Sequence, residues 1–286
     1  MKKDVTVYGV GPRDGLQNQK KLIATQDKIN LINALTECGF KKVEVTSFVS
    51  PKWLPQMADA AEVLEGINRK ETVTYAALVP NMKGFGKALS ADVKEISIFA
   101  AATEGFNQAN INCSIEESLT RFGPVLKAAR EYGMTVRGCI SCVTDCPYEG
   151  SVDPGSVAYV AKALTDMGCY EISLADTIGS GTPEQVAKML DKVLNELPKD
   201  RLAGHFHDTN GRALENIAVS LEKGIRVFDS SIGGLGGCPY APGATGNVAS
   251  ESVAQMVEKM GYETGLDLEK LSQVVTLVQT IVKTNG

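Results

Sequence analysis

Apolar positions along this chain follow two alternating rhythms. Helical spacing, with hydrophobic residues three and four apart, runs from Thr25 to Glu37, Ile115 to Tyr132, Pro154 to Met167 and Pro183 to Leu197. Between these stretches lie β-rich runs at about 4–10, 42–48, 72–79, 95–102, 135–143, 171–177, 203–209 and 226–232. One phrase joins the rhythms: a helix end, a glycine, then a strand. It reads Glu37-Cys-Gly-Phe-Lys-Lys-Val-Glu-Val-Thr46 and Glu131-Tyr-Gly-Met-Thr-Val-Arg-Gly-Cys139. It returns as Asp166-Met-Gly-Cys-Tyr-Glu-Ile-Ser-Leu174 and Glu222-Lys-Gly-Ile-Arg-Val-Phe-Asp229. A glycine just past a helix suits a left-handed C-terminal cap. Asp153-Pro154 and Thr182-Pro183 read as N-caps followed by proline in the first turn.

Eight such units predict an α/β chain folded as a (β/α)8 TIM barrel, with the segment Leu266 to Lys283 as an additional C-terminal helix outside it. A doubly wound open sheet is the alternative, but it calls for fewer strands and a glycine-rich first turn. No linker or shift of composition divides the chain, so residues 1–286 read as one catalytic domain. The balance of 29 basic against 34 acidic residues, without a basic block, argues against nucleic acid as a partner. No apolar run reaches the roughly 20 residues of a membrane helix. Met1-Lys-Lys-Asp leads into a first strand rather than a targeting segment. Seven cysteines, an odd number, point to a reduced, cytoplasmic protein. Cys139, Cys142 and Cys146 read as packing residues, because the first two fall on opposite faces of their strand and no fourth soft ligand is apparent.

Barrel enzymes carry their chemistry at the C-terminal strand ends. Those ends deliver Arg13 and Asp14 from the first strand, Glu44, Thr46 and Ser47 from the second, and Asp176 from the sixth. The seventh strand carries His205 and His207, the chain's two histidines, which as residues i and i+2 of a strand share a face. The eighth leads into a glycine-rich loop, Gly233 to Asn247, that holds Cys238. Two imidazoles with a carboxylate and an amide oxygen suit a hard or borderline divalent ion, Mg2+ or Mn2+ before Zn2+. Asp14 is the best carboxylate for that set. Asn247, on its residues alone, reads as an ordinary N-cap of the helix that follows. No lysine ends a barrel strand, which argues against Schiff-base chemistry. The glycine-rich loop lacks the order of a Walker or dinucleotide motif and suits a mobile lid, on which Cys238 is exposed enough to be reactive.

Five segments together resemble the hydroxymethylglutaryl-CoA lyase family, metal-dependent barrel lyases: Gly11-Pro-Arg-Asp-Gly-Leu-Gln-Asn18, Thr46-Ser-Phe-Val-Ser-Pro-Lys-Trp53, Cys146-Pro-Tyr-Glu-Gly150, His205-Phe-His-Asp208 and Gly234-Leu-Gly-Gly-Cys-Pro-Tyr-Ala241. The resemblance covers nearly the whole chain. It implies metal ligation by Asp14, His205, His207 and Asn247, which displaces the reading of Asn247 as a mere cap. It also implies a catalytic role for Arg13 and Cys238, with Glu44, Asp176 and Glu251 as supporting acids. The activity implied is divalent-metal-dependent cleavage of 3-hydroxy-3-methylglutaryl-CoA to acetyl-CoA and acetoacetate, as in leucine breakdown, by a homodimer. Either Asp14 or His205 is a candidate for the base. A related enzyme condensing acetyl-CoA with a 2-keto acid, or a barrel that only binds, are the competing readings.

Overall fold

The computed structural model describes residues 4–236 and 246–284. In chain order its strands are β1 (Thr6–Gly9), β2 (Lys42–Ser47), β3 (Thr74–Leu78), β4 (Glu95–Ala101), β5 (Thr135–Ser141), β6 (Asp145–Cys146), β7 (Gly150–Ser151), β8 (Glu171–Asp176), β9 (Leu202–Phe206) and β10 (Val227–Ser230). Eight of these close into a parallel barrel, running β1-β2-β3-β4-β5-β8-β9-β10 and back to β1, while β6 and β7 form a small antiparallel hairpin. The fold is the predicted (β/α)8 barrel, and each predicted strand lies on an observed one.

The helices are α1 (Thr25–Glu37), α2 (Ala60–Gly66), α3 (Met82–Ser90), α4 (Glu104–Ile111), α5 (Ile115–Glu131), α6 (Pro154–Met167), α7 (Pro183–Leu194), α8 (Ala213–Glu222), α9 (Ser250–Lys259) and α10 (Leu268–Thr284). The last is the predicted extra helix; it buries Leu271, Val274, Val278 and Ile281 against the outside of the barrel layer, beside α1 and α9. Thr182 caps α7 in a reciprocal box with Gln185. Asp153 precedes α6 as predicted, but its side chain makes no capping bond.

Gly39 shows why the helix-glycine-strand phrase recurs. It follows α1 at φ +97°, and a Cβ there would lie 2.5 Å from the Gly265 carbonyl oxygen. Only glycine turns the chain into β2 at that point without strain or collision.

Strand alternation divides the interior into two unlike regions. Val43, Val45, Ile96, Ile98, Ile172, Leu174, Phe206 and Phe228 belong to the large apolar core shared with the helices. The lumen holds a small apolar cluster of Tyr8, Val10 and Ala76. It also holds polar groups: Arg137, Glu171, Ser173, His205 and Asp229 are linked to one another there by hydrogen bonds and ion pairs, and Glu95 accepts from the Tyr8 hydroxyl. Barrel lumens are ordinarily filled with branched apolar side chains, so this polar filling is tolerated through the internal pairing of its charged groups.

Candidate active site

The chain leaves β1 through a tight π-helical turn, Gly11–Gly15, that carries Arg13 and Asp14. The Asp14 N–H donates to the Val10 carbonyl at 2.8 Å. Gly15 allows the turn to press against the segment after β10: a Cβ there would meet Ser231 Oγ at 2.7 Å and Leu235 Cβ at 3.0 Å. That close approach brings Asp14 to Asn247 from opposite ends of the chain. Single π-helical turns are frequent at functional sites.

Arg13 is held from two sides. Its Nε donates to Glu44 Oε2 at 2.5 Å, and one terminal nitrogen donates to Asp14 Oδ1 at 2.6 Å and to Gln17 Oε1 at 3.3 Å. Burial disfavours its charge, but Glu44 and then Asp14 outweigh that and keep the guanidinium firmly protonated. Glu44, only 3% exposed and lying on the neighbouring strand β2, fixes the direction in which the fork points.

Asp14, His205 and His207 offer ligand atoms that all lie within 4.8 Å of one another. The two Nε2 atoms are 3.2 Å apart. Two donors about 2.1 Å from one ion and at right angles around it stand about 3.0 Å apart, so the pair fits a shared divalent cation. Asn247 joins them, its Nδ2 donating to Asp14 Oδ2 at 2.7 Å and to the Leu235 carbonyl at 3.2 Å. Ligation through its Oδ1 requires the amide to turn over. Asp14, His205 and His207 therefore converge, with the Asn247 side chain alongside Asp14.

Two details differ from the sequence reading. First, β9 ends at Phe206, and His207 leaves the barrel ladder to pair antiparallel with Asn247. Beyond Phe206 its neighbour is the returning chain: the Asp208 N–H donates to the Gly246 carbonyl, and the Val248 N–H to that of Phe206. Secondly, Asn247 is not the N-cap that its own residues suggest, a reading that the family resemblance already displaces. Helix α9 starts at Ser250 with Ala249 before it, and the Asn247 amide is engaged by Asp14 instead.

The three charges are unlike. Burial pushes Asp14 up, but Arg13, then both histidines and the Asn247 amide, bring it down to about 2. Burial also lowers His205, yet the hydrogen bond and charge of Asp229, joined by the charge of Asp14, raise it above its ordinary value. His207 is pushed down to about 4 by burial and then by His205. Its Nδ1 is buried and makes no hydrogen bond, although the Thr177 backbone lies near enough to act on its charge.

Of the other predicted residues, Asp176 accepts from Thr144 Oγ1 at 3.0 Å and from the Gly181 N–H at 3.0 Å, and so shapes the loop after β8. Glu251 accepts from the Gly233 N–H at 3.1 Å. Cys238 lies outside the described residues. Cys139 faces the lumen beside Arg137, and burial pushes its thiol up. Cys142 lies past the end of β5 against Cys146, so the two thiols point to different places, as expected of packing residues. A groove of about 800 Å³ runs outside the barrel wall between Ser47, Phe48, Lys83 and Lys87, and no metal-set residue lines it.

Sequence reading missed the group behind His205. His205 Nδ1 lies 3.1 Å from Asp229 Oδ2, which also accepts from Ser173 Oγ at 2.8 Å and from Arg137 at 3.0 Å. The only available signal was the alternation of β10, which puts Asp229 on the lumen side, and it does not say what Asp229 meets there.

Residues 4–278 match the family model described as HMGL-like. A Pseudomonas aeruginosa protein called 3-hydroxy-3-isohexenylglutaryl-CoA/hydroxy-methylglutaryl-CoA lyase is 56% identical over 285 residues, which cover 99% of this chain and 95% of that one. The crystal structure of the HMG-CoA lyase from Brucella melitensis superposes with a TM-score of 0.96 at 55% identity, covering 98% of this chain and 99% of that one. An HMG-CoA lyase from Acinetobacter baumannii, solved in complex with coenzyme A and 3-methylmalate, gives 0.93 at 35% identity, covering 98% and 92%. Among the described residues, no helix is long and apolar enough to cross a membrane. The chain belongs to the HMGL-like family and is a carbon–carbon lyase of the hydroxymethylglutaryl-CoA type.

Proposed function

We propose that this chain cleaves (S)-3-hydroxy-3-methylglutaryl-CoA to acetyl-CoA and acetoacetate with a divalent ion, Mg2+ or Mn2+, held by Asp14, His205, His207 and Asn247. The observation that carries the reading is the meeting of two imidazole nitrogens and one carboxylate beside a guanidinium fixed by Glu44. A bound divalent ion would supply Lewis acidity toward the tertiary hydroxyl and a neighbouring substrate oxygen.

The residues themselves account for the remaining chemistry. Asp14 and His205 are the candidates for taking the hydroxyl proton; a His205 that ligates through Nε2 and keeps its proton on Nδ1 toward Asp229 has no free lone pair, so with the ion held the Asp14 carboxylate is the acceptor. Loss of that proton lets the carbinol carbon become the ketone of acetoacetate as the C2–C3 bond breaks. The bonding electrons pass into the acetyl thioester as an enolate. Arg13, which cannot give up its proton, meets the negative charge that gathers on the thioester oxygen. Protonation of the enolate carbon then gives acetyl-CoA, and Cys238 is the proposed donor. We place residues 1–286 in one catalytic unit and propose a cytoplasmic homodimer.

Three outcomes test this reading. Protein stripped of metal and given 3-hydroxy-3-methylglutaryl-CoA forms acetoacetate only after Mg2+ or Mn2+ is restored. Thiol release from acetyl-CoA and a 2-keto acid, with no acetoacetate formed, would instead favour the condensing reaction. Arg13→Met lowers kcat by about 10²–10³ or more while the ion content, read by elemental analysis, stays at the wild-type level; wild-type turnover would remove Arg13 from the charge-bearing step. The third outcome concerns pH. A raised His205 is protonated in the metal-free protein near pH 6.5, whereas Asp14 at about 2 and His207 at about 4 are not. Loading the site at pH 6.5 therefore releases more than half a proton and no more than about one per ion, and the release falls as the pH rises. Calorimetry in buffers of different ionisation enthalpy measures this, and release of two protons at pH 6.5 would contradict the asymmetry.

A further inference from the structure

The two imidazoles at the site are supported differently, and the difference originates in the barrel lumen. His205 and Asp229 are register partners on adjacent parallel strands, β9 and β10, so their side chains leave the same face side by side. Arg137 and Glu171 are register partners on β5 and β8. Arg137 then reaches across the lumen: one terminal nitrogen donates to Asp229 Oδ2 at 3.0 Å, the other to Oδ1 at 2.7 Å, and its Nε donates to Glu171 at 2.7 Å. Its guanidinium lies 4.3 Å from the centre of the Tyr8 ring. The Arg137 and Asp229 side chains are each only 2% exposed.

We propose that Asp229 is a positioning residue for the metal centre: held by Arg137 and Ser173, it fixes His205 as the Nδ1–H tautomer and so aims an Nε2 lone pair into the site. This inference rests on the metal set proposed above and deepens it. Among the described residues His207 has no carboxylate in the equivalent place; only the Thr177 backbone lies near its buried Nδ1. The arrangement is thus one-sided. His205 is oriented in advance, while His207 takes its direction from the site in front of it and from the backbone pairing with Asn247. Outer partners that orient a ligating histidine commonly contribute about 10–100-fold to metal affinity. The Asp229 carboxylate can serve here because Arg137 meets both of its oxygens, at 3.0 and 2.7 Å, and so holds it in place beside Nδ1 despite its burial.

Because the chain has two histidines, one spectrum examines both. In 15N-histidine NMR of the Mg2+-loaded wild type at pH 8, assigned with the His207→Gln variant, His205 is expected with its proton on Nδ1. A proton on Nε2 of His205 would overturn the proposal without any lumen variant. In parallel, Mn2+ binding is measured for the wild type, Asp229→Asn and Glu171→Gln. The last variant disturbs the same buried arginine on the side away from His205. Asp229→Asn is expected to weaken Mn2+ binding by about 10–100-fold. Glu171→Gln is expected to change it less than about threefold, even if both variants lose similar thermal stability. Equal losses from both variants, or none from Asp229→Asn, would reduce Asp229 to a structural ion-pair member. A wild type that binds no Mn2+ would overturn the metal set itself, and the positioning role with it.

Discussion

Arg137 spans the barrel lumen from β5 to β10, and the polar groups stacked above it keep their places because it does. The guanidinium answers Glu171 and both oxygens of Asp229 deep in the barrel, where its side chain is buried. Removing one partner from such a buried group costs about 3–5 kcal/mol, against a net stability of about 5–15 kcal/mol for a typical domain. An apolar filling of equal volume would give a barrel at least as stable. What the charged filling adds is direction. Asp229 is a fixed anion below the rim, and His205 is the group that uses it.

The same logic is repeated at the rim in looser form. Glu44 on β2 and Asp14 in the turn after β1 both grip Arg13, and Asp14 in turn faces the histidines and Asn247. Asp14 therefore belongs to two charge systems at once. It partly neutralises the arginine, and it supplies the negative ligand that two neutral imidazoles lack. Its place depends on a backbone feature, the π-turn packed against Ser231 and Leu235, more than on any single side-chain contact. A side chain at residue 15 would move the turn, and the metal set and the arginine would move together.

The barrel could be read from the chain because each repeat announces itself locally. A glycine such as Gly39, forced to a positive φ between α1 and β2, marks the junction wherever it occurs. His205 and His207 were visible as a pair, and their meeting with Asp14 followed once the strand ends were assigned to one rim. Three things were not legible from the residues alone. The end of β9 at Phe206 depends on the chain that returns through Gly246 and Val248, which no local pattern encodes. Asn247 carries the same residue type as an N-cap; its own residues did not separate the two roles, the family resemblance did, and its contact with Asp14, 233 positions away, shows where the amide goes. The pairing of Arg137 with Asp229 depends on strand register around a closed barrel, because the two residues lie on strands separated by β8 and β9.

The claim on which the rest depends is that one ion sits between Asp14, His205 and His207. Anomalous diffraction from crystals of the metal-stripped protein soaked in Mn2+, recorded above and below the manganese edge, tests it without reference to turnover. The account predicts one dominant peak within about 2.0–2.3 Å of a carboxylate oxygen of Asp14 and of Nε2 on both histidines. A dominant peak elsewhere in the protein, or none at this position in crystals that hold the ion, would contradict it.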